Sequence, residues 1–477
     1  MSAATVPGRM REIAAALGPF AKRAVLARGA VFGLGPKGGA GDELARAELL
    51  RGGFERLGPV FVKLGQLLST RPDIVSPTMM TCLQQLQSRV APMTRADVDA
   101  ALAEHAREVG DALEWVDPKP LASASLAQVH QGRLRDGRDV ALKIRRRDVT
   151  SQVDLDLQVL DLLARAADRL IDDDVYDLRT TLEELAQALR EELDLRSEAE
   201  NLVVFARNLA KWGPGLRVPE VHEELTTASV LVMELVRGVP LGDGGAARIG
   251  RGRRADLART LSHAYFQMFF VDGLFHADPH PGNLLVEEDG SLVLLDFGMV
   301  GRIERQVSDN LVRVLLNFQL KDSHGVAHAF LDIGKPTARA DEIGWIMDVR
   351  RLLPRYHGMR LERLNVGTLL IDLLSNAARN GIQAPPIVAL VCKSLANMDG
   401  SARLIDPGID VIGTFGSFLP VLLEAHARRV ASIEDAAKMA LDVYIGTQRI
   451  PFQIAAILEK AATGRLRIVV DPLQRHR

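Results

Sequence analysis

Two periods of hydrophobicity divide the chain. Residues 42–57 and 59–70 carry apolar side chains at helical spacing, interrupted by Gly52-Gly53 and by Gly58-Pro59, so two helices with a break between them are expected. Residues 94–109 read as another, with Thr94 as N-cap before Arg95-Ala96-Asp97. From 119 to 145 the character changes. Apolar and polar residues alternate through Ala127–Leu134, Arg135-Asp136-Gly137-Arg138 makes a turn, and Asp139–Ile144 is a second strand; an Asp-Gly turn between alternating runs predicts a hairpin. Helices are predicted again at about 151–171 and 178–210, then a buried strand at Val230–Val236, a helix over 254–272, and helices almost throughout from 306 onward. Between these, Leu284-Leu285-Val286 and Leu292-Val293-Leu294-Leu295 flank Glu287-Glu288-Asp289-Gly290-Ser291, a second hairpin signal. The fold class is α+β. A helical segment, 1–115, precedes a β-rich part, 116–236, and a helical part, 237–477. There is no internal repeat and no long low-complexity stretch.

Composition narrows this picture. With 477 residues the chain can hold two or three domains and a large core. Its 47% hydrophobic and 25% charged content is that of an ordinary soluble globular protein. A formal net charge of -2 supplies no basic field, so no nucleic-acid partner is expected. Cys82 and Cys392 cannot make a disulfide framework and have no metal-ligand neighbours; they fit a cytoplasmic protein and read as small buried apolar residues. Arg9, Arg11, Lys22 and Arg23 sit among alanines without the continuous apolar core of a secretory signal, and read as a solvated amphipathic helix. No window holds eighteen uninterrupted apolar residues, so no membrane-spanning helix is expected. The basic runs Arg145-Arg146-Arg147 and Arg251-Gly252-Arg253-Arg254 read as solvated faces.

The chemistry concentrates in residues 273–298. Gly-Leu-Phe-His-Ala-Asp-Pro-His-Pro-Gly-Asn-Leu-Leu-Val opens the stretch and Asp296-Phe297-Gly298 closes it. Asp278 and Asn283 are five apart, the spacing of the kinase catalytic loop. The predicted hairpin between them and Asp296 brings Asn283 and Asp296 to one end, where both can hold Mg²⁺ while Asp278 faces the nucleophile. Val140-Ala141-Leu142-Lys143 matches the strand whose Lys reaches the α- and β-phosphates of ATP. That cation needs a carboxylate partner, and the run Glu191–Glu200 is the place to find it. Within the run Asp194 and Glu198 are four apart and share a helical face, whereas Glu192 points elsewhere. Glu198 joins the nucleotide contacts, as do Met233, Glu234 and Val236 at the end of the buried strand. Ahead of the Lys strand, where kinases carry a glycine-rich phosphate loop, Leu121–His130 has no glycine. Ala122, Ser123, Ala124 and Ser125 take its place. Alanine allows close approach to phosphate but resists positive φ, so this loop is expected to be stiffer.

Together with Phe61-Val62-Lys63-Leu64-Gly65-Gln66-Leu67-Leu68-Ser69-Thr70-Arg71-Pro72-Asp73, these blocks resemble the UbiB/ADCK (AarF) family of atypical kinase-like proteins. The first block looks like the family's K-x-G-Q signature, and Glu192-Leu193-Asp194 like its E-x-D element. The matches run from about 54 to 301; the later helices fit only loosely. The resemblance implies a bilobal protein-kinase-like fold with an N-terminal helical extension over the active site and extra C-terminal helices. It implies ATP and Mg²⁺ as ligands, little protein-kinase activity, and ATPase support of ubiquinone biosynthesis near membranes. Lys63 and Gln66 would point into the cleft with Glu192 nearby. Being three apart, they present one polar face among Phe61, Leu64, Leu67 and Leu68, a regulatory lid with Glu192 and Asp194 as available partners. Members of the family often end in transmembrane helices; Leu466-Arg467-Ile468-Val469-Val470 is too short a run for one, and none is expected there. An anionic lipid surface, quinone-biosynthesis proteins and isoprenoid lipids are the expected partners, at the inner face of the membrane. Two other readings stay open. An aminoglycoside- or choline-type small-molecule phosphotransferase shares the catalytic loop but leaves Lys63-Leu64-Gly65-Gln66 unexplained. A nucleotide-gated scaffold for lipid-modifying enzymes would carry the same residues.

Overall fold

The computed structural model describes residues 5–26, 40–69, 75–83, 85–86, 92–105, 109–168, 178–213, 215–338, 340–358 and 365–430. Thr70, Arg71, Pro72 and Asp73, and Leu466–Val470, lie outside the described residues. The chain forms two compact units, residues 1–416 and 417–477. The site lies within the first.

Helices α1 (Val6–Leu26), α2 (Ala40–Leu57), α3 (Pro59–Leu68) and α4 (Pro77–Leu83) build the N-terminal segment. Gly58 takes φ 98° between α2 and α3, and Pro59 starts α3 where its missing N–H costs nothing. Phe54, Phe61, Val62 and Met79 share a buried cluster. Gly65 is required there. A Cβ would lie 2.2 Å from Leu86 Cδ1 and 2.7 Å from Phe54 Cδ2. The N-terminal helix is packed, not solvated as its alanines and basic residues suggested. Ile13 and Phe20 are buried in the same cluster. Arg9 donates to both carboxylate oxygens of fully buried Asp156, at 2.5 and 3.0 Å, and to the Leu57 carbonyl. A buried charge persists only when paired in this way.

α5 (Arg95–Ala103) starts on a capping box between Thr94 and Asp97. It ends at Ala103, short of the predicted 109, and residues 106–108 lie outside the described residues. β1 (Leu113–Ser123), β2 (Ala127–Leu134) and β3 (Asp139–Arg145) follow, then α6 (Val149–Asp168), α7 (Leu178–Leu193), α8 (Leu195–Leu209), β4 (Leu216–Arg217) and β5 (Val230–Glu234). The first sheet is antiparallel in the order β1-β2-β3-β5. Its edge strand β1 holds Pro118 and Pro120, which disguise it in the sequence and which an edge tolerates. The predicted helix 178–210 is two helices. Asp194 leaves helical geometry (φ -99°, ψ 98°) and its side chain accepts the Arg196 N–H as N-cap of α8.

β6 (Val239–Pro240), α9 (Arg254–Gln267), β7 (Leu274–His276), β8 (Leu284–Val286), β9 (Leu292–Leu294) and β10 (Val300–Arg302) carry or flank the candidate stretch 273–298. β8 and β9 pair antiparallel within the sheet β4-β9-β8-β6, and Gly290 takes φ 82° in their turn. The helices α10 (Arg305–Gln319), α11 (Ser323–Leu331), α12 (Glu342–His357), α13 (Val366–Arg379) and α14 (Pro386–Ile405) complete the first unit, with a short pair β11 (Lys335–Pro336) and β12 (Ile382–Gln383) among them. Cys82 and Cys392 are free and buried. Neither basic run is simply a solvated face. Arg145 bonds the Leu193 and Ala228 carbonyls, Arg253 the Asp289 carbonyl, and Arg254 the Ile249 and Ala246 carbonyls. Among the described residues no helix is long and apolar enough to cross a membrane.

Candidate active site

Lys143 is the focus of the site. Its strand is fixed in register by both neighbours, Val129 opposite on β2 and Leu231 opposite on β5. Its Nζ donates to Glu198 Oε1 and Oε2 at 2.8 and 2.7 Å and to Asp296 Oδ1 at 3.0 Å. Burial works against the ammonium, but the Asp296 and Glu198 charges outweigh it and hold the group above the usual lysine range. Burial likewise pushes the Glu198 carboxyl up, with Lys143 opposing. The Lys143 charge holds the Asp296 carboxyl down at about 2.

Asp296 itself sits at φ 60°, a left-handed conformation that Asp adopts more readily than most residues. The residues after it are anchored. Phe297 is fully buried, its ring centroid 4.6 Å from Phe205 and 4.7 Å from His276, and Asn201 donates to its carbonyl. His276 is buried, and burial lowers its pKa, so it is neutral. Its Nε2 donates to the Leu295 carbonyl at 2.9 Å and its Nδ1 accepts the Asp278 N–H at 3.1 Å. One imidazole thus ties the Asp278 loop to the strand leading to Asp296. Asn283 closes the loop, its Nδ2 donating to the Asp278 carbonyl at 3.2 Å, while the Leu295 N–H bonds the Asn283 carbonyl at 2.8 Å. The amide oxygen of Asn283 and the carboxylate of Asp296 are the hard donors that Mg²⁺ takes alongside phosphate oxygens. Among the described residues no group of three or more His, Cys, Asp or Glu could hold a metal alone, so a metal here would draw its remaining ligands from phosphate and water.

The other candidates are distributed around this centre. Ala122 and Ser123 end β1, and Ala124 and Ser125 form the turn into β2. Arg146 pins that turn, donating to the Ala124 carbonyl at 3.1 Å and to Ser123 Oγ at 2.9 Å; this is the second departure of the basic run from a solvated face. Met233 bridges to Val221, and Val236 lies half-buried past the end of β5. Glu234 is committed elsewhere. Arg217 holds its two oxygens at 2.7 and 2.9 Å and also bonds Glu287, and the Glu234 N–H bonds the Glu220 carbonyl. Burial works against the Glu234 carboxylate, but Arg217 outweighs it and keeps the pKa low.

Lys63 on α3 lies 2.5 Å from Glu192 Oε2 on α7. Its charge contributes to lowering Asp296, and Glu192 contributes to raising Glu198. Gln66 is half-buried one turn further along α3. Asp194 does not join Lys63 or Lys143; its carboxylate pairs with Arg196 at 2.6 Å.

Two residues at the loop went unnoticed in the sequence. Asn397 donates to Asp278 Oδ1 at 2.9 Å, and Lys393 Nζ lies 3.4 Å from the same oxygen. Both come from α14, as do Ser394 and Ser401, which bond the His276 and Pro279 carbonyls. The available signal was the run of polar positions 393, 394, 397 and 401 within a largely apolar helix.

A lysine strand, its helical glutamate and an Asp-Phe-Gly stretch beyond a hairpin define an atypical kinase-like protein. Residues 85–330 match the ABC1 atypical kinase-like domain, and residues 349–410 match the UbiB helical domain. The later helices therefore match more than loosely, and the K-x-G-Q block lies ahead of the first match. The chain is 33% identical over 407 residues to the probable protein kinase UbiB of Aeromonas salmonicida, covering 83% of this chain and 73% of that protein. It is 33% identical over 389 residues to the Aeromonas hydrophila counterpart, covering 79% and 70%. It is 31% identical over 369 residues to a protein of Synechocystis sp., covering 75% and 90%. The chain belongs to the UbiB family of atypical kinase-like proteins. Among solved structures, Rv3197 from Mycobacterium tuberculosis, determined with erythromycin, aligns with a TM-score of 0.52 at 21% identity, covering 74% of this chain and 90% of that one. That likeness concerns the fold.

Proposed function

We propose that the chain binds ATP with Mg²⁺ and turns it over as an atypical kinase or ATPase of the UbiB type, in support of ubiquinone or other isoprenoid-lipid biosynthesis. The observation that carries this reading is Lys143 held between Glu198 and Asp296, with Asn283 tied to the residue before Asp296. Lys143 and the alanine-rich turn would take the phosphates, with Glu198 steadying the lysine. Met233 and Val236 would edge the nucleotide, and Glu234, held by Arg217 and by the Glu220 carbonyl, would brace the strand beside them. Bound Mg²⁺, held by Asn283 and Asp296, would neutralise phosphate charge. Asp278 would orient the attacking hydroxyl or water. Lys63, Gln66 and Glu192 would form the lid over the cleft, favouring water or a lipid-borne acceptor over a protein. Without a spanning helix among the described residues, the reading places the protein peripherally at an anionic membrane surface.

The test is steady-state ADP release by the purified protein, with and without anionic liposomes and phenolic quinone precursors. Asp278→Asn is expected to lose ~10²–10⁴-fold in turnover yet keep its thermal stabilisation by Mg²⁺-ATP. Loss of stabilisation with turnover intact would reverse the assignment. The Lys143–Asp296 contact also favours a second reading, a nucleotide-gated scaffold, because Asp296 must exchange this partner when a metal binds. A burst of ADP without sustained turnover would select it.

A further inference from the structure

We propose that Lys393 is a catalytic residue that contacts the transferring phosphoryl group, with Asn397 positioning Asp278 beside it. This rests on the ATP-turnover reading above and names groups outside the kinase core that serve it. Phosphoryl transfer is catalysed almost wholly by positioning and by cations on the moving group's oxygens. Between Asp278 and Asn283 the loop reads Pro279-His280-Pro281-Gly282, which carries no lysine or arginine. The one titratable group there, His280, is exposed, and its Nδ1 accepts the Gly282 N–H. Lys143 is directed at Glu198 and Asp296. Among the described residues, the cation that reaches Asp278 is Lys393.

The geometry of α14 is specific. Ser394 and Ser401, both fully buried, bond the backbone carbonyls of His276 and Pro279 at 2.7 and 3.0 Å. These two bonds fix the helix against the loop on either side of Asp278. Asn397 and Lys393, one turn apart, then both address Oδ1 of Asp278. Among the described residues Oδ2 has no partner, and it is the oxygen left to receive the nucleophile's proton. The contact of Asn397 at 2.9 Å is a full hydrogen bond, whereas that of Lys393 at 3.4 Å is a looser ion pair. A loosely held ammonium with a fifth of its side chain exposed can turn towards a phosphoryl group placed in line with Asp278. In the step, the bond from the γ-phosphorus to the bridging β-phosphate oxygen breaks as the bond to the nucleophile oxygen forms. ADP leaves, the nucleophile's proton goes to Oδ2 of Asp278, and Lys393 neutralises charge on the transferring oxygens without exchanging a proton.

The test separates this role from packing. Affinities for a non-hydrolysable Mg²⁺-ATP analogue and for Mg²⁺-ADP are measured in the full chain and in Lys393→Met, Lys393→Arg and Asn397→Ala, together with kcat and KM for ADP release and a thermal melt. Lys393→Met is expected to weaken the analogue by about tenfold and ADP by less than about twofold, with kcat lower by ~10²–10³-fold as for loss of one preorganised donor. Lys393→Arg should recover most of both losses. Asn397→Ala should lower kcat at unchanged KM and unchanged affinities. Equal effects of Lys393→Met on both nucleotides, or none on either, with wild type binding both, would overturn the role of Lys393 while leaving the ATP reading in place. Failure of the wild type to bind either nucleotide would overturn both. Should Lys393→Met lose its cooperative melt, Lys393→Gln is read by the same criteria.

Discussion

Replacing Asp296 with Asn separates the structural work of this residue from the metal binding proposed for it. In the structure Asp296 shares Lys143 with Glu198, but the two carboxylates differ in setting. Glu198 is 6% exposed in its side chain and Asp296 54%. An ion pair so open to water contributes on the order of 0–1 kcal/mol after screening. Lys143 keeps both bonds to Glu198 in the variant, so no buried charge is left alone. Removing Lys143 instead would strand Glu198 at a cost of about 3–5 kcal/mol. Asn also tolerates the φ 60° of this position. Over a unit of 416 residues, 1 kcal/mol moves the melting temperature by only about 1 °C, so nucleotide-free Asp296→Asn should melt within about 1 °C of wild type. The ligand response should differ sharply. Mg²⁺-ATP at a hundred times its Kd stabilises by ~2.7 kcal/mol, a rise of about 3 °C for a unit of this size. The variant should lose the Mg²⁺-dependent part of that rise. Differential scanning fluorimetry with ATP in Mg²⁺ and in EDTA reads both quantities. A variant whose Mg²⁺-dependent rise equals that of wild type would refute the metal assignment, and a nucleotide-free melt lowered by 5 °C or more would show that the ion pair has been undervalued.

Ala124→Gly opens positive φ in a turn that Arg146 otherwise pins, and should change the preference between ATP and ADP; unchanged affinities for both, by equilibrium titration, would remove any gating role from this turn. Gly65→Ala drives a methyl against Leu86 and Phe54 and should cost about 1–3 kcal/mol by overpacking; a melt identical to wild type would show that α3 can shift freely. Lys63→Ala leaves Glu192 without its cation and should yield a folded protein with autophosphorylation in cis or altered nucleotide affinity. Unchanged phosphate incorporation, ADP release and affinity would leave α3 as packing alone.

Local chemistry made much of this legible. The Asp-Gly turns at 136–137 and 289–290 announced both hairpins, since each needs a glycine at positive φ, and Gly137 and Gly290 supply it at 91° and 82°. The lysine strand and the Asp278–Asn283 spacing are also local patterns. What escaped was set by partners distant in sequence. Asp194 sits in a charged, helix-compatible run. It breaks the helix because it caps α8 while the Leu195 N–H bonds the Ala228 carbonyl, a contact no periodicity contains. Arg145 and Arg146 looked like a solvated run, yet alternation at the strand's end sends them to opposite sides, one to Leu193 and Ala228 and the other to the alanine-rich turn. β1 was hidden by its prolines. Lys393 and Asn397 reach Asp278 across more than a hundred residues, from one of the later helices that the sequence marks only as helical.

The break at Asp194 also explains how two glutamates six residues apart come to serve different masters. Were 178–210 one helix, Glu192 and Glu198 would differ by 240° around a common axis, with no freedom to adjust either direction independently. Ending α7 at Leu193 and restarting α8 at Leu195 uncouples them. Glu192 belongs to a helix that packs on α3 and pairs with Lys63, whereas Glu198 belongs to a helix that packs on β5 and pairs with Lys143 on β3. The pairs nonetheless remain close enough to feel one another, since Lys63 helps lower Asp296 and Glu192 helps raise Glu198. A divalent cation arriving at Asp296 would weaken its hold on Lys143 and leave that lysine to Glu198. The carboxylate it strengthens would then lie beside Glu192, whose own neutralisation depends on Lys63. The N-terminal segment and the Lys143 cluster are thus joined by two ion pairs whose carboxylates, Glu192 and Glu198, repel one another, and a change of charge at one end alters the electrostatic cost of the arrangement at the other.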